Sequence, residues 1–218
     1  MPRLLLFNPN TDAALTARLV AIARRQLPDW AVRGMTAPRG ARYIASPKAL
    51  RMAGMVAMDC LAGLDLAGCD AVLLACFGDP ALDALRRALS APVFGMAESG
   101  FAACAAPGGR FAVVTGGADW PPLIRDLADR TGYGRSLADV RAIPHFGRAA
   151  QADPHGTLGA LAAEALIAIE RTGAERILLG GTGLAGFRDA LAARLAVPVH
   201  CSLTETLRAV VSHMAARG

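Results

Sequence analysis

Four short loops in this sequence hold residues whose types and spacing could do chemistry. The first is Ala75-Cys76-Phe77-Gly78-Asp79-Pro80. Cys76 closes an apolar run and precedes a Gly-Asp-Pro turn into a helical pattern, so a helix N-terminus is expected just beyond it. Amide dipoles there would stabilise a thiolate and lower its pKa. Such a thiolate can serve as a nucleophile or as a base toward a carbon acid. The competing reading makes Cys76 a small buried hydrophobe, as for Cys60, Cys69, Cys104 and Cys201. The second loop is Phe7-Asn8-Pro9-Asn10-Thr11. Its Asn8 and Asn10 amides and backbone N–H groups can bind a carboxylate or an imide carbonyl, or Asn10 or Thr11 can cap the following helix. The third, Val114-Thr115-Gly116-Gly117, offers the Thr115 hydroxyl and free N–H groups to an oxyanion, or is a turn with a left-handed glycine.

The fourth loop, Gly181-Thr182-Gly183-Leu184-Ala185-Gly186, reads as GxGxxG. A dinucleotide fingerprint belongs in the first βαβ unit, with an acidic residue ending the next strand. Here the motif is late, and Val197-Pro198-Val199-His200 ends without an acid. No cofactor is expected. No two histidines have metal-ligand spacing, so no metal is expected either. His145 follows Pro144 in a loop, His155 suits a helix start, His213 falls in the last helix, and His200 ends a strand beside Cys201. Glu98 and Ser99 in Gly95-Met96-Ala97-Glu98-Ser99-Gly100 could reach a site or simply begin a helix.

Short apolar runs ending in turn residues give strands at Arg3–Phe7, Ala71–Cys76, Pro92–Phe94, Arg110–Thr115, Arg176–Leu179 and Val197–His200. Helical patterns lie between them. One is capped by Thr11 or Asp12 and runs to Gln26. Another starts at Ser46-Pro47 and ends near Leu66, and a third runs from Asp79-Pro80 to about Ser90. Further helices are expected at 121–130, 157–171, 186–195 and 203–216. Alternating helices with strands that are apolar on both faces mean an α/β fold with parallel sheets. The sequence also repeats weakly. DAVLLACFGDPALDALRRAL resembles ERILLGGTGLAGFRDALAAR and sets Cys76 on Gly181, an offset of 181 − 76 = 105. Two similar α/β lobes facing each other across a cleft are expected, the first at 1–97 plus 198–218 and the second at 98–197.

Composition sets the outer limits. The chain has 218 residues, 54% hydrophobic and 19% charged, which suits a globular α/β protein with a substantial core. No apolar stretch of about 18 residues exists, so no membrane span is expected. The opening MPRLLLF is too short for a signal peptide, and the expected location is the cytoplasm. Five cysteines without a CxxC pair argue against a disulfide framework. The net charge of +5 comes from dispersed arginines with only 5% aromatics. That favours small anionic ligands over nucleic acid.

Taken together, FNPNT, ACFGDP, GMAESG, VVTGG and LGGTGLAG, in this order and spanning nearly the whole chain, resemble the aspartate/glutamate/hydantoin racemase superfamily, with the hydantoin racemase branch nearest. The resemblance implies two pseudo-symmetric flavodoxin-like lobes with the active site in the cleft between them. It also implies a homo-oligomer and cofactor-independent proton transfer at a carbon next to a carbonyl. The substrate would be a small amino acid derivative, an anion or a cyclic ureide such as a hydantoin. In that family a cysteine from each lobe flanks the substrate. Cys76 matches the first, and the second belongs at Gly181, which has no thiol. The resemblance therefore makes Cys76 the catalytic base. Phe77, Gly78, Thr182 and Gly183, with Asn8 and Thr115, would hold the enolate. Cys201 or His200 could replace the absent thiol. Two alternatives stay open: a decarboxylase or lyase protonating one face through a single cysteine, and a non-catalytic member that only binds a small ligand.

Overall fold

The structure, a computed structural model, describes residues 1–106, 108–145 and 147–216. In chain order the elements begin with β1 (Arg3–Asn8), α1 (Ala13–Gln26), β2 (Ala31–Thr36), α2 (Pro47–Ala62), β3 (Ala71–Leu74), α3 (Leu82–Ala88), β4 (Val93–Gly95) and α4 (Met96–Ala105). There follow β5 (Phe111–Gly116), α5 (Trp120–Arg130), β6 (Leu137–Ile143), α6 (Gly147–Ala152) and α7 (Pro154–Thr172). The series ends with β7 (Arg176–Gly180), a 3₁₀ turn at Thr182–Leu184, α8 (Arg188–Ala192), β8 (Val199–Cys201) and α9 (Ser202–Ala215). The α/β architecture expected of the alternating pattern is present.

The chain forms two compact units. One is residues 1–96 with the stretch from Leu203, and the other is residues 97–202. Each contains one four-stranded sheet, in order β2-β1-β3-β4 or β6-β5-β7-β8, with every pair parallel. Apolar residues fill the central strands: five of the six residues of β1, and every residue of β3 and β5, are buried. That is what helices on both faces of a parallel sheet require. In the first unit Leu5, Phe7, Val72 and Leu74 pack with Val56, Leu61 and Leu85. In the second, Val114, Ile177 and Leu179 pack with Leu161, Leu184 and Leu191.

Local chemistry sets the helix ends. The Asp12 carboxylate accepts from Ala14 N and Leu15 N at 3.1 and 3.2 Å, so Asp12, rather than Thr11, caps α1. Ser46 Oγ accepts from Ala49 N at 3.1 Å, with Pro47 in the first turn of α2. That helix stops at Gly63, short of the expected Leu66. Two strands, β2 and β6, are absent from the strands expected of the sequence. Both are edge strands, half exposed, and Arg33-Gly34 and Asp139 with Arg141 interrupt their apolar runs. α8 covers five residues of the ten expected. Among the described residues no helix is long and apolar enough to cross a membrane.

The registers align the two sheets residue by residue. Phe7 of β1 pairs with Leu74 of β3, and Val114 of β5 pairs with Leu179 of β7. Counting on from these pairs, Asn8 corresponds to Thr115 and Cys76 to Gly181. The four loops singled out by their residues all leave carboxyl ends of central strands, where parallel α/β sheets bind ligands.

Candidate active-site loops

In the first unit the loop after β3 carries Cys76, whose residue is 6% exposed. Its N–H donates to the Leu74 carbonyl at 2.9 Å, and its carbonyl accepts from Asp79 N at 3.1 Å. The loop then passes through two left-handed residues that are not glycine, Asp79 (φ 43°) and Ala81 (φ 58°). Each costs on the order of 1–3 kcal/mol and persists where surrounding packing enforces it. Asp79 is itself buried and lies so tightly on β4 that a Cβ at Gly95 would overlap its carboxylate. The helix expected at Asp79-Pro80 therefore begins only at Leu82, six residues beyond Cys76, and has seven residues.

That displacement overturns the expectation of a depressed thiol pKa. Burial dominates, and it pushes the Cys76 thiol up from 9.0 to about 12. The Gly78 N–H, which hydrogen-bonds the sulfur, pulls the other way, and the negative charge of Asp79 adds to the rise. The resting group is a neutral thiol. Gly78 thus has its N–H turned to sulfur. Phe77 lies fully inside the unit at 2% exposure.

The loop after β1 is held by its own asparagines. Asn8 is fully buried, and its Nδ2 donates to Asn10 Oδ1 at 2.8 Å, Thr16 Oγ1 at 3.0 Å and the Asp12 carbonyl at 3.3 Å. Its Oδ1 accepts from Asn10 N at 3.2 Å. Asn8 therefore shapes the loop with every polar atom of its side chain. Asn10 Oδ1 also accepts from Asp12 N at 2.9 Å. Its Nδ2 makes no hydrogen bond among the described residues, which leaves it as the amide donor available to a ligand.

In the second unit Thr115 is the penultimate residue of β5, 2% exposed, and its hydroxyl makes no hydrogen bond among the described residues. Gly181 follows β7 at φ 113° and ψ 139°. That conformation lies outside the left-handed helical well and is essentially confined to glycine. A Cβ there would have room, since the nearest atom would be Thr115 Oγ1 at 3.7 Å. Backbone conformation, not space, disfavours a side chain at this position. Gly183 is needed for a different reason: a Cβ there would come within 2.9 Å of the Gly147 backbone N. Gln151 Nε2 donates to the Gly183 carbonyl at 2.8 Å, tying α6 to the Thr182–Leu184 turn. The GxGxxG run leads into a single 3₁₀ turn and a five-residue helix. It does not open the long helix on which a pyrophosphate rests.

Cys201 and His200 stay within β8, paired with Leu179 and Leu178, and Cys201 is buried. Glu98 and Ser99 lie in the first turn of α4. Among the described residues no group of three or more His, Cys, Asp or Glu side chains comes together as a metal ligand set. Sequence reasoning missed Asp79 as a neighbour of the thiol. No periodicity signals a left-handed aspartate.

A fold of two such units, with matched loops at their strand ends and a cysteine on one of them, defines a class. The family model described as Asp/Glu/Hydantoin racemase matches residues 4–210. The chain belongs to that family and is an enzyme of the racemase superfamily. Among individual relatives, the hydantoin racemase of Rhizobium meliloti is 31% identical over 208 residues, covering 93% of this chain and 85% of that protein. The hydantoin racemase of Pseudomonas sp. (strain NS671) is 37% identical over 132 residues, 61% of this chain and 53% of that protein. The crystal structure of allantoin racemase from Pseudomonas fluorescens superposes with a TM-score of 0.91 at 28% identity, covering 98% of this chain and 91% of that one.

Proposed function

We propose that this protein catalyses cofactor-independent proton transfer at the carbon next to a carbonyl, in a hydantoin-type cyclic ureide or another small amino acid derivative, with Cys76 carrying the proton. The observation that bears the most weight is the Cys76 loop: a thiol at the carboxyl end of a central strand, hydrogen-bonded by the Gly78 N–H and followed by two enforced left-handed residues. The names of the relatives support the substrate class. Both hydantoin and allantoin are cyclic ureides with a hydrogen next to a carbonyl, made acidic because the carbanion delocalises into that carbonyl.

A neutral resting thiol defines what this site does without help. It donates its proton to a carbanion or enolate, leaving a thiolate that the Gly78 N–H stabilises. Running the other way, it must first lose its proton. At pH 7 that costs about 7 kcal/mol in the free protein for a pKa of about 12. Abstraction thus needs a bound substrate that supplies dipoles or hydrogen-bond donors to the thiolate. Asn10 Nδ2, in the unit that carries Cys76, is the donor assigned to a substrate oxygen. Asn8, Gly78 and Gly183 position loops.

The raised thiol and the missing thiol at Gly181 favour a second reading, a lyase in which bond cleavage creates the carbanion and Cys76 protonates it once. The test is incubation in D₂O with chiral 5-substituted hydantoins, allantoin, aspartate, glutamate and substituted malonates. Proton NMR follows α-deuteration and chiral chromatography follows inversion. Deuteration of a hydantoin supports the first reading, and deuterated product from a malonate supports the second. Absence of both refutes the two together.

A further inference from the structure

Among the described residues the large hydrophobic side chains left exposed are Met1, Met52, Met55, Leu166 and Val211. Met52 and Met55 stand three residues apart on α2, whereas the others lie singly elsewhere. A lone exposed apolar side chain needs no explanation, but a contiguous apolar patch rimmed by charge marks a surface that meets a partner. At about 100° per residue, Arg51, Met52, Met55, Met58 and Asp59 fall within about 120° around the helix, with Met55 at the centre. Met58 is half-buried and packs against the core of the first unit. Beside the stripe runs a groove of about 580 Å³ whose lining includes Leu50, Gly54, Met58 and Ala81, all in that unit. Ala81 belongs to the left-handed stretch after Cys76. A Cβ at Gly54 would stand 3.0 Å from the Ala81 Cβ, so α2 lies directly on that stretch.

The stripe is symmetric about its centre. Three residues either way from Met55 reach Met52 and Met58, and four either way reach Arg51 and Asp59. A two-fold contact is self-complementary: if residue i meets residue j, then j meets i. Two antiparallel copies of α2 crossing at Met55 therefore set methionine against methionine at the middle and Arg51 level with Asp59 at both ends. The charges suit that pairing. Arg51 is exposed and makes no hydrogen bond or ion pair among the described residues. Asp59 is paired with Arg39, yet its side chain stays 60% exposed, which leaves room for a second guanidinium. A methionine centre with a charged rim is also the composition of surfaces at which proteins meet.

We propose that the outer face of α2 is a homodimer contact, occupied by α2 of a second copy of this chain running antiparallel, with Met55 on the two-fold axis and Arg51 of each copy paired with Asp59 of the other. The contact is independent of the proton transfer assigned to Cys76. Methionines of the second copy pack into the groove, which the adaptable shape of the thioether side chain permits. They thereby cover Ala81 from outside and add to the packing that holds its left-handed backbone.

Sedimentation velocity across micromolar concentrations tests it with wild type, Met55→Glu, Arg51→Glu, Asp59→Arg and an equimolar mixture of the last two. Circular dichroism and a melting midpoint check that each variant is folded. Wild type should form dimers or larger even-numbered assemblies. Met55→Glu sets two carboxylates together on the axis and should weaken the contact about 100-fold or more. Each single charge reversal sets like charges together at both ends and should weaken it about 10–100-fold. A heterodimer of one copy of each reversal restores opposite charges at both ends. The mixture should therefore associate at least about tenfold more tightly than either component alone. A folding defect cannot produce that rescue, so the charge variants decide alone if Met55→Glu fails to fold. A wild type that stays monomeric throughout overturns the proposal. Wild-type assemblies untouched by a folded Met55→Glu place the contact on another face and overturn it too. Single reversals that associate like wild type, or a mixture no tighter than its components, refute the antiparallel pairing.

Discussion

Alkylation of Cys76 by iodoacetamide should show the pH profile of a buried, protonated thiol. Only thiolate reacts. At pH 8 a thiol of pKa 9.0 is about one-tenth ionised, whereas one of about 12 is ionised to roughly one part in 10⁴. The Cys76 peptide, quantified by mass spectrometry apart from the other four cysteines, should therefore react about 1000-fold more slowly than an ordinary thiol. Its rate should climb about tenfold per pH step from 8 to 11 without levelling. Shielding lowers the whole curve but does not move the pH at which it levels, so the slope isolates ionisation from access. Stability should follow in step. The folded-state pKa lies above the unfolded value of 9.0, so the thiol's contribution is complete below pH 9 and is lost as pH rises toward 12. Relative to Cys76→Ser, wild type should lose about 1.4 kcal/mol per pH step in that window, near 2 kcal/mol by pH 10.5. A reaction rate that plateaus below pH 9, or a stability difference between the two proteins that is flat from pH 8 to 10.5, would refute the argument from burial.

Three further outcomes are expected. Asp79→Asn keeps the shape but removes the charge that raises the thiol, so the onset of Cys76 alkylation should shift to lower pH; an unmoved onset would assign the rise to desolvation alone. Gly181→Ala should cost about 1–3 kcal/mol in urea unfolding, because the Cβ has room but φ 113° does not suit it. Gly159→Ala, in the open interior of α7, should gain about 0.5–1 kcal/mol, and equal effects at the two glycines would contradict the conformational account. Asn8→Ala should destabilise by about 1–3 kcal/mol, since Asn10 N and Thr16 Oγ1 lose partners in a buried loop. Denaturant unfolding checks it, and a change below 0.5 kcal/mol would mean that the loop holds without the amide.

The central strands were legible because their runs are continuous. RLLLF and FAVVT are apolar on every position, which only a strand covered on both faces tolerates. AVRGMT and LADVRAI were not, because edge strands face solvent on one side and so admit Arg33, Asp139 and Arg141. The repeat DAVLLACFGDP against ERILLGGTGLA foreshadowed the matching registers, since sheets of the same order place equivalent residues at equivalent strand ends. What the sequence could not carry was backbone strain and burial. Nothing in Gly-Asp-Pro-Ala marks Asp79 and Ala81 as left-handed, so the helix start was placed too early, and the dipole argument for Cys76 failed with it. Asn8 reads as a ligand amide in isolation. Only the fold reveals Thr16 and Asp12 within its reach.

The central claim is that Cys76 moves a proton at an α-carbon, and one comparison tests it most directly. Wild type and Cys76→Ala are incubated with each enantiomer of 5-benzylhydantoin in D₂O, and initial α-deuteration is read by proton NMR beside a melting midpoint for each protein. The account predicts exchange by wild type and, for at least one enantiomer, a loss of about 100-fold or more in Cys76→Ala at an unchanged midpoint. Wild-type exchange that Cys76→Ala retains in full would contradict it.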